Sequence, residues 1–532
     1  MIKMFEIKAS DLAGRIGEIK TKRGSLETPC ILPVIHPARQ IIAPKDMDKM
    51  GFKAVMTNAY ITLKVFGKIA EEKGIHRIID YDGIIMTDSG GYQILEYGSL
   101  EVSPVEMAIF QERIGSDIAL VLDTPTGIGV DRKRAKKTVE MTLKAAEETL
   151  KVVKTESTLW VGPIQGGSYL DLLKKSAKLT SKMKFDLFAL GSPTEVMESY
   201  NFELLAKMII TVKQSLPIDK PLHLFGAGHP LTIPLAVALG CDLFDSASYI
   251  IYAREGRYMT DYGTLRFDEL KYLPCNCNIC SNHTLKEIKD LEPKERIKKI
   301  ATHNLNVLLK EVKATKQAIE DGRLWEYLGI KARAHPMFWQ VFKLLINNYE
   351  FLEDGTPLFK PRALFFYEHY DLMRPEALRY HKMLIEDLFV LPEKKILLIL
   401  PESDVKPFYK SPFYIKLTKA LGDTLKYIQI CFLTLPFGLV PVELSDVYPL
   451  SQYVNSLKLD SYVMKRILKL TKEFIKKYPF DKIIFLNHQD AYYPILRKLA
   501  RIIKNSFIID TNTNNFDEIE KKISKSISEE RS

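Results

Sequence analysis

Two aspartates end apolar, β-branched runs and sit among small residues: Asp88 in IIMTDSGG at 84–91 and Asp245 in CDLFDSAS at 241–248. A pair of carboxylates facing one another suits the cleavage of an N-glycosidic bond. One attacks the anomeric carbon of the sugar and the other moves a proton. The resulting covalent sugar intermediate can accept a different base in place of water. Asp242 competes with Asp245, but residues three apart on a strand point to opposite faces, so at most one of them faces the site. Asp123 in LVLDTP and Gln165 in PIQGG add an acceptor and a mixed donor–acceptor, the groups that read the edge of a nucleobase. In DSGGYQ, Ser89 adds a hydroxyl, the two glycines allow a flat ligand close to the backbone, and Tyr92 offers an aromatic face. Taken singly, each of these residues also suits an ordinary strand-ending turn.

Three of the six cysteines are packed into Cys275-x-Cys277-x-x-Cys280, while Cys30, Cys241 and Cys431 stand alone. A disulfide framework belongs to small, cysteine-rich secreted chains, so the cluster reads as metal ligands. A tetrahedral zinc site needs a fourth ligand, from His283 or His303. His283 follows Cys280 so closely that it would crowd the same loop. His303 lies on a helical pattern that can fold back over it and is the better candidate. Three thiolates and an imidazole leave no open position, which makes the metal structural. Arg254 and Arg257 in AREGR follow Asp245 and suit phosphate oxygens, or are simply solvated charge. His229 in GAGHP lines the same region or caps a loop.

These residues need a frame that brings strand ends together. Eight short apolar runs, at 30–35, 53–60, 84–91, 118–125, 159–167, 185–192, 223–228 and 241–248, alternate with amphipathic stretches such as 132–153 and 169–183. Nearly continuous apolar strands in βα units indicate a parallel sheet covered on its faces. Eight units in this length indicate a (β/α)₈ barrel, whose active sites lie at the carboxyl ends of the strands. Asp88, Asp123, Gln165, Gly191, Gly226 and Asp245 all fall at such ends. The reading is an α/β chain with a TIM-barrel catalytic domain over residues 1–265 and a zinc-binding subdomain with closing helices over 266–335. A C-terminal α/β region follows over 336–532, with strands at 396–400, 429–435, 482–487 and 506–510. The stretch from Thr511 is polar and forms one helix with a frayed end.

Composition agrees with a soluble, multidomain protein. The chain has 532 residues, 46% of them apolar and 27% charged. No apolar run approaches the ~18 residues of a membrane span. The start MIKMFEIKAS lacks a signal-peptide core, so a cytoplasmic location is expected. A net charge of +10 fits a polyanionic partner.

Together, DSGGYQ, LDTP, PIQGG, FGAGHP, LFDSASY, AREGR and CxCxxC followed by His303 resemble the tRNA-guanine transglycosylases, and among them the archaeal type. The resemblance is strong to about residue 330 and looser beyond. It implies a TIM barrel with one structural zinc ion, held by Cys275, Cys277, Cys280 and His303. It implies exchange of guanine at position 15 of tRNA for 7-cyano-7-deazaguanine, on the way to archaeosine. By position, Asp245 matches the nucleophile and Asp88 the general acid and base. Asp123, Gln165, Ser89 and the backbone from Ala189 to Gly191 match the base-recognition groups. Tyr92 and Phe225 match the residues that sandwich the base, and Arg254 and Arg257 are placed for tRNA. The implied partners are tRNA, the two bases and a second copy of the chain in a homodimer. Many archaeal members end in an RNA-binding PUA domain, and this sequence ends in a polar helix instead, so a separate PUA-domain protein is expected to assist. A non-catalytic tRNA-binding subunit or a paralogue without exchange chemistry is disfavoured by the presence of both aspartates and all the metal ligands. A zinc hydrolase is disfavoured by the closed ligand set.

Overall fold

The computed structural model describes residues 4–91, 101–154, 157–386, 390–391, 393–511 and 516–528. Tyr92 therefore lies outside the described residues. They divide into two compact units, one ending at Thr356 and the other starting at Pro357.

The first unit opens with an antiparallel sheet of β1 (Phe5–Asp11), β2 (Gly14–Thr21) and β3 (Gly24–Thr28). Eight parallel strands then close into a barrel: β4 (Cys30–Ile35), β5 (Ala54–Asn58), β6 (Ile84–Asp88), β7 (Ile118–Leu120), β8 (Leu159–Ile164), β9 (Leu187–Leu190), β10 (Leu222–Leu224) and β11 (Leu243–Ser246). These are the eight runs read from the sequence, in the same order. Closure is the pairing of β11 with β4, where Asp245 sits opposite Leu32. Apart from β4, which spans its whole run, the strands are shorter than the apolar runs, because the last residues of those runs turn into loops. In KAVMTNAY, for example, Asn58 ends β5 and caps the helix Ala59–Phe66, its side chain accepting a bond from the Ile61 amide at 2.9 Å.

Alternate residues point in and out of the barrel. Leu32, Met56, Met86, Leu120, Val161, Ala189 and Leu243 fill its interior, joined by Phe5, Ile19 and Leu26 of the opening sheet. The sheet thus plugs the amino end of the barrel, leaving the carboxyl end open. The outward residues pack on the surrounding helices in the main core. That core continues through the 28-residue helix Pro293–Glu320 and the helix Pro336–Leu345, whose Phe338, Val341 and Phe342 are buried in it. Between barrel and long helix runs a hairpin of β12 (Arg257–Thr260) and β13 (Gly263–Arg266).

The second unit contains a pair of short strands, β14 (Leu364–Phe366) and β18 (Tyr453–Asn455). Its five-stranded sheet is formed by β15 (Ile396–Pro401), β16 (Ile428–Thr434), β17 (Gly438–Pro441), β19 (Lys482–Asn487) and β20 (Ser506–Asp510), in the order β17-β16-β15-β19-β20. Only β17 runs antiparallel. The sequence reading identifies β15, β16, β19 and β20. It misses β17, a turn's length after β16. No helix among the described residues is long and apolar enough to cross a membrane.

At the plugged end, Arg15 of β2 donates to both oxygens of Asp242, at 2.7 and 2.8 Å, with both residues buried. Asp242 also accepts from the Leu222 amide at 2.8 Å. The pair ties the plug to the start of β11, and it places Asp242 far down the strand from the open mouth. Removing one partner leaves an uncompensated buried charge. Asp242→Ala is expected to destabilise the fold by about 3–5 kcal/mol in urea unfolding; a loss well under 1 kcal/mol would contradict this role.

Candidate active site

At the open end, a cavity of about 940 Å³ is lined by Asp88, Asp123, Gln165, Gly191, Phe225 and Asp245 among others. Arg254 and Arg257 stand on its lining as well, Arg254 exposed. The barrel has thus brought residues from six different strand ends into one concavity.

Asp88 ends β6. The Asn58 amide donates to its Oδ2 at 2.7 Å. Because Asn58 Oδ1 is held by the helix start, its NH₂ has to face Asp88. Burial, and next the nearby Asp123 carboxylate, push the Asp88 carboxyl up to about 7, against the opposing pull of the Gly90 amide; Asp245 adds to the rise. Asp123 is pushed up to about 6, chiefly by burial, with the Gln165 amide working the other way. Gln165 Nε2 donates to Asp123 Oδ2 at 2.5 Å, and its Oε1 accepts from the Thr126 amide at 3.0 Å and from Ser192 Oγ at 2.9 Å. Two glycines make room for this pair. A Cβ on Gly91 would lie 2.3 Å from Asp123 Oδ1, and one on Gly191 would lie 2.2 Å from Gln165 Nε2.

Asp245 stands one residue before the end of the barrel's last strand, with 8% of its surface exposed. Its Oδ1 takes two bonds, from His223 Nε2 at 2.9 Å and from the Gly226 amide at 3.0 Å. Phe225 is half-buried on the cavity wall, its ring 4.8 Å from that of His223. Arg257 stacks over Tyr252 at 3.6 Å and donates to Thr264 at 3.3 Å. His229 also lines the cavity, with its Nδ1 accepting from the Leu231 amide at 3.2 Å, and burial lowers it to about 4.

Two expected contact residues stand differently. Ser89 is fully buried and its hydroxyl donates to the Val121 carbonyl at 3.1 Å, which turns it into the wall rather than the cavity. Ala189 is packed in the barrel interior, and the Gly191 amide is engaged by the Ile164 carbonyl at 2.9 Å. Conversely, Asn58 and His223 were not singled out from the sequence. An Asn ending an apolar run just before a helix is a signal that could have been used. A lone His within LHLF reads as a core residue, and nothing in the sequence distinguishes it.

Cys275, Cys277, Cys280 and His303 bring their donor atoms within 4.8 Å of one another, and none of the four lines the cavity. Cys277 Sγ lies 3.6 Å from Cys280 Sγ, and both sulfurs lie 3.5 Å from His303 Nδ1. A tetrahedral ion bonded at about 2.3 Å to sulfur and about 2.0 Å to nitrogen needs ligand separations of roughly 3.5–3.8 Å, so the group fits a metal ion. His303 Nε2 donates to the Met259 carbonyl at 2.8 Å, which turns the Nδ1 lone pair towards the sulfurs. Tyr258 stacks on the same ring at 3.7 Å and its hydroxyl lies 3.2 Å from Cys280 Sγ. His283 instead bonds the Ile279 carbonyl at 3.0 Å.

A closed barrel whose open end gathers acidic strand ends and an amide–carboxylate pair into one cavity has the plan of an enzyme active site. The chain belongs to the queuine tRNA-ribosyltransferase family, whose model matches residues 10–337. Residues 378–526 match a second family, described as a domain of unknown function. Among similar proteins is the tRNA-guanine(15) transglycosylase of Sulfolobus acidocaldarius, 39% identical over 91% of this chain and 95% of its own. That of Pyrobaculum aerophilum is 44% identical over 84% and 89%. That of Methanocaldococcus jannaschii is 41% identical over 93% and 76%.

Two outcomes test this description. The folded protein keeps a proton on Asp88 up to about pH 7, whereas the unfolded chain releases it near pH 4. Between those values the folded state binds more protons, so this group's contribution to stability falls as pH rises. Asp88→Asn is expected to melt at a higher temperature than the parent at pH 8, with a smaller gap at pH 5; a gap that does not grow with pH refutes the shift. Cys277→Ser is expected to lose most of the bound metal by elemental analysis and to melt lower, and full metal occupancy would exclude Cys277 as a ligand.

Proposed function

We propose that this protein exchanges guanine at position 15 of tRNA for 7-cyano-7-deazaguanine, through a covalent link between Asp245 and the ribose. The observation that carries the reading is the convergence of Asp88, Asp123, Gln165 and Asp245 on one cavity, in a chain similar along most of its length to tRNA-guanine(15) transglycosylases.

Asp245 attacks C1′ of nucleotide 15 as the C1′–N9 bond breaks, and the electron pair of that bond goes to the departing guanine. Asp88 supplies the proton that the guanine takes up. A carboxyl group raised to about 7 is well matched to giving and recovering a proton near neutrality. The incoming base loses a proton to Asp88 as its nitrogen displaces Asp245 from C1′. Asp123 and Gln165 hold the heterocycle by its edge, while Phe225 and Tyr92 cover its faces. Gln165 is fixed at its oxygen end, so its remaining N–H direction is set before the base arrives, which lowers the ordering cost of binding. Ser89 and Ala189 support this pocket from behind. Arg254 and Arg257 take RNA phosphates at the cavity edge.

Zinc is the ion that three thiolates and one imidazole suit. Held by Cys275, Cys277, Cys280 and His303, it would act as a structural clamp with no open coordination position. The second unit is assigned a supporting role on tRNA.

The test is incubation with unmodified tRNA and labelled 7-cyano-7-deazaguanine. Label is expected at nucleotide 15 alone, and label at another nucleotide or only in free base would sink the assignment. Asp245→Ala is expected to reduce incorporation by more than about 10³-fold while keeping the fold, and substantial residual exchange would remove Asp245 from the role of nucleophile.

A further inference from the structure

His223 lies on β10, wholly buried, with its Nε2 2.9 Å from Asp245 Oδ1. Its other nitrogen, Nδ1, is also buried and has no hydrogen-bond partner among the described residues. The two facts together decide where the ring's proton is. A proton on Nδ1 would be a buried donor with no acceptor, an arrangement that proteins avoid. The same objection applies to the doubly protonated ring. The neutral ring with its hydrogen on Nε2 leaves only a lone pair unpartnered and gives Asp245 a donor.

The Gly226 amide donates to the same oxygen at 3.0 Å. Both donors therefore converge on Asp245 Oδ1. Among the described residues neither of them, nor any other group, donates to Oδ2, and Asp245 lines the cavity. The carboxylate is pinned by one oxygen and presents the other.

We infer that His223 is a positioning residue for the nucleophile: together with the Gly226 amide it anchors Asp245 through Oδ1 and so makes Oδ2 the oxygen that bonds to C1′. This rests on the reading of Asp245 as nucleophile. In the step itself, the Oδ2–C1′ bond forms as C1′–N9 breaks, the electron pair of the broken bond goes to the leaving guanine, and His223 keeps its Nε2 proton throughout. The histidine is needed because its neighbours on β10, Leu222 and Leu224, point outward into the main core, so no other side chain of that strand can reach Asp245.

The test is steady-state exchange of labelled guanine into tRNA by His223→Leu, His223→Gln and His223→Asn, with trapping of the covalent RNA–protein adduct on denaturing gels. A glutamine carries an N–H at the reach of the ring's Nε2, whereas an asparagine falls short. The expected result for the leucine variant is a kcat lower by roughly 10–100-fold, the worth of one hydrogen bond to a charged group. Adduct forms more slowly, and KM for tRNA is little changed. Glutamine is expected to restore most of the rate and asparagine not. Parental kcat in the folded leucine variant, an effect on KM alone, or equal rescue by asparagine and glutamine would each overturn the inference. If the leucine variant does not fold, the glutamine–asparagine comparison decides. Asp245→Asn separates the two claims. Exchange that survives in it removes the nucleophile assignment, while loss of exchange there beside a normal leucine variant removes only the role of His223.

Discussion

Three aspartates at the barrel's strand ends, Asp88, Asp123 and Asp245, share one cavity, and the arrangement around them follows from that constraint. Unpaired, they would repel each other and resist burial. The fold resolves this by giving each a different set of donors. Asp88 has the Asn58 side chain and the Gly90 amide, Asp123 has Gln165, and Asp245 has His223 and the Gly226 amide. Two of these donors are fixed in turn: Asn58 by a helix start, and Gln165 by the Thr126 amide and the Ser192 hydroxyl. The environments differ enough for Asp88 to hold a proton near neutrality. Gly91 and Gly191 are part of the same solution, since a methyl group at either would collide with the Asp123–Gln165 pair.

Much of this was legible in the sequence, for a physical reason. Parallel strands covered on both faces must be apolar along their length, so the eight runs and their order could be read directly, and the polar or glycine residues near the ends of six of them mark the open end. The cysteine spacing announces a metal group by itself. What escaped has an equally definite cause. The plug of β1, β2 and β3 is a half-exposed antiparallel sheet with mixed composition, and strand β17 is only Gly438–Pro441. Ser89 belongs to a motif that suggests contact, but side-chain direction at a strand end depends on the neighbouring strand, here the Val121 carbonyl. His223 sits in an apolar run, and its partner is 22 residues away in sequence.

The Cys₃His group, which could hold a metal ion, joins two parts of the chain of different character. The cysteines come from a loop with little regular structure, and the imidazole from a 28-residue helix packed in the main core. Tyr258 on β12 stacks against His303, and the carbonyl of Met259 on the same strand fixes its ring. β12 begins at Arg257, which stands on the cavity. A metal ion held by these four residues would organise β12 and so steady one side of the cavity without entering it.

The pairing of β4 with β11 has a temporal side. A ribosome extrudes β4 early, but the strand that completes its hydrogen bonds emerges roughly 200 residues later, on the order of 10–40 s at typical elongation rates. Until then the first barrel strand keeps an open edge, the kind that recruits stray strands from other chains. The nascent barrel is thus a half-built curl for most of its synthesis. It becomes safe only when the segment carrying Asp242 and Asp245 arrives, so the same few residues that finish the site also end the period in which the growing chain is most prone to tangle with its neighbours.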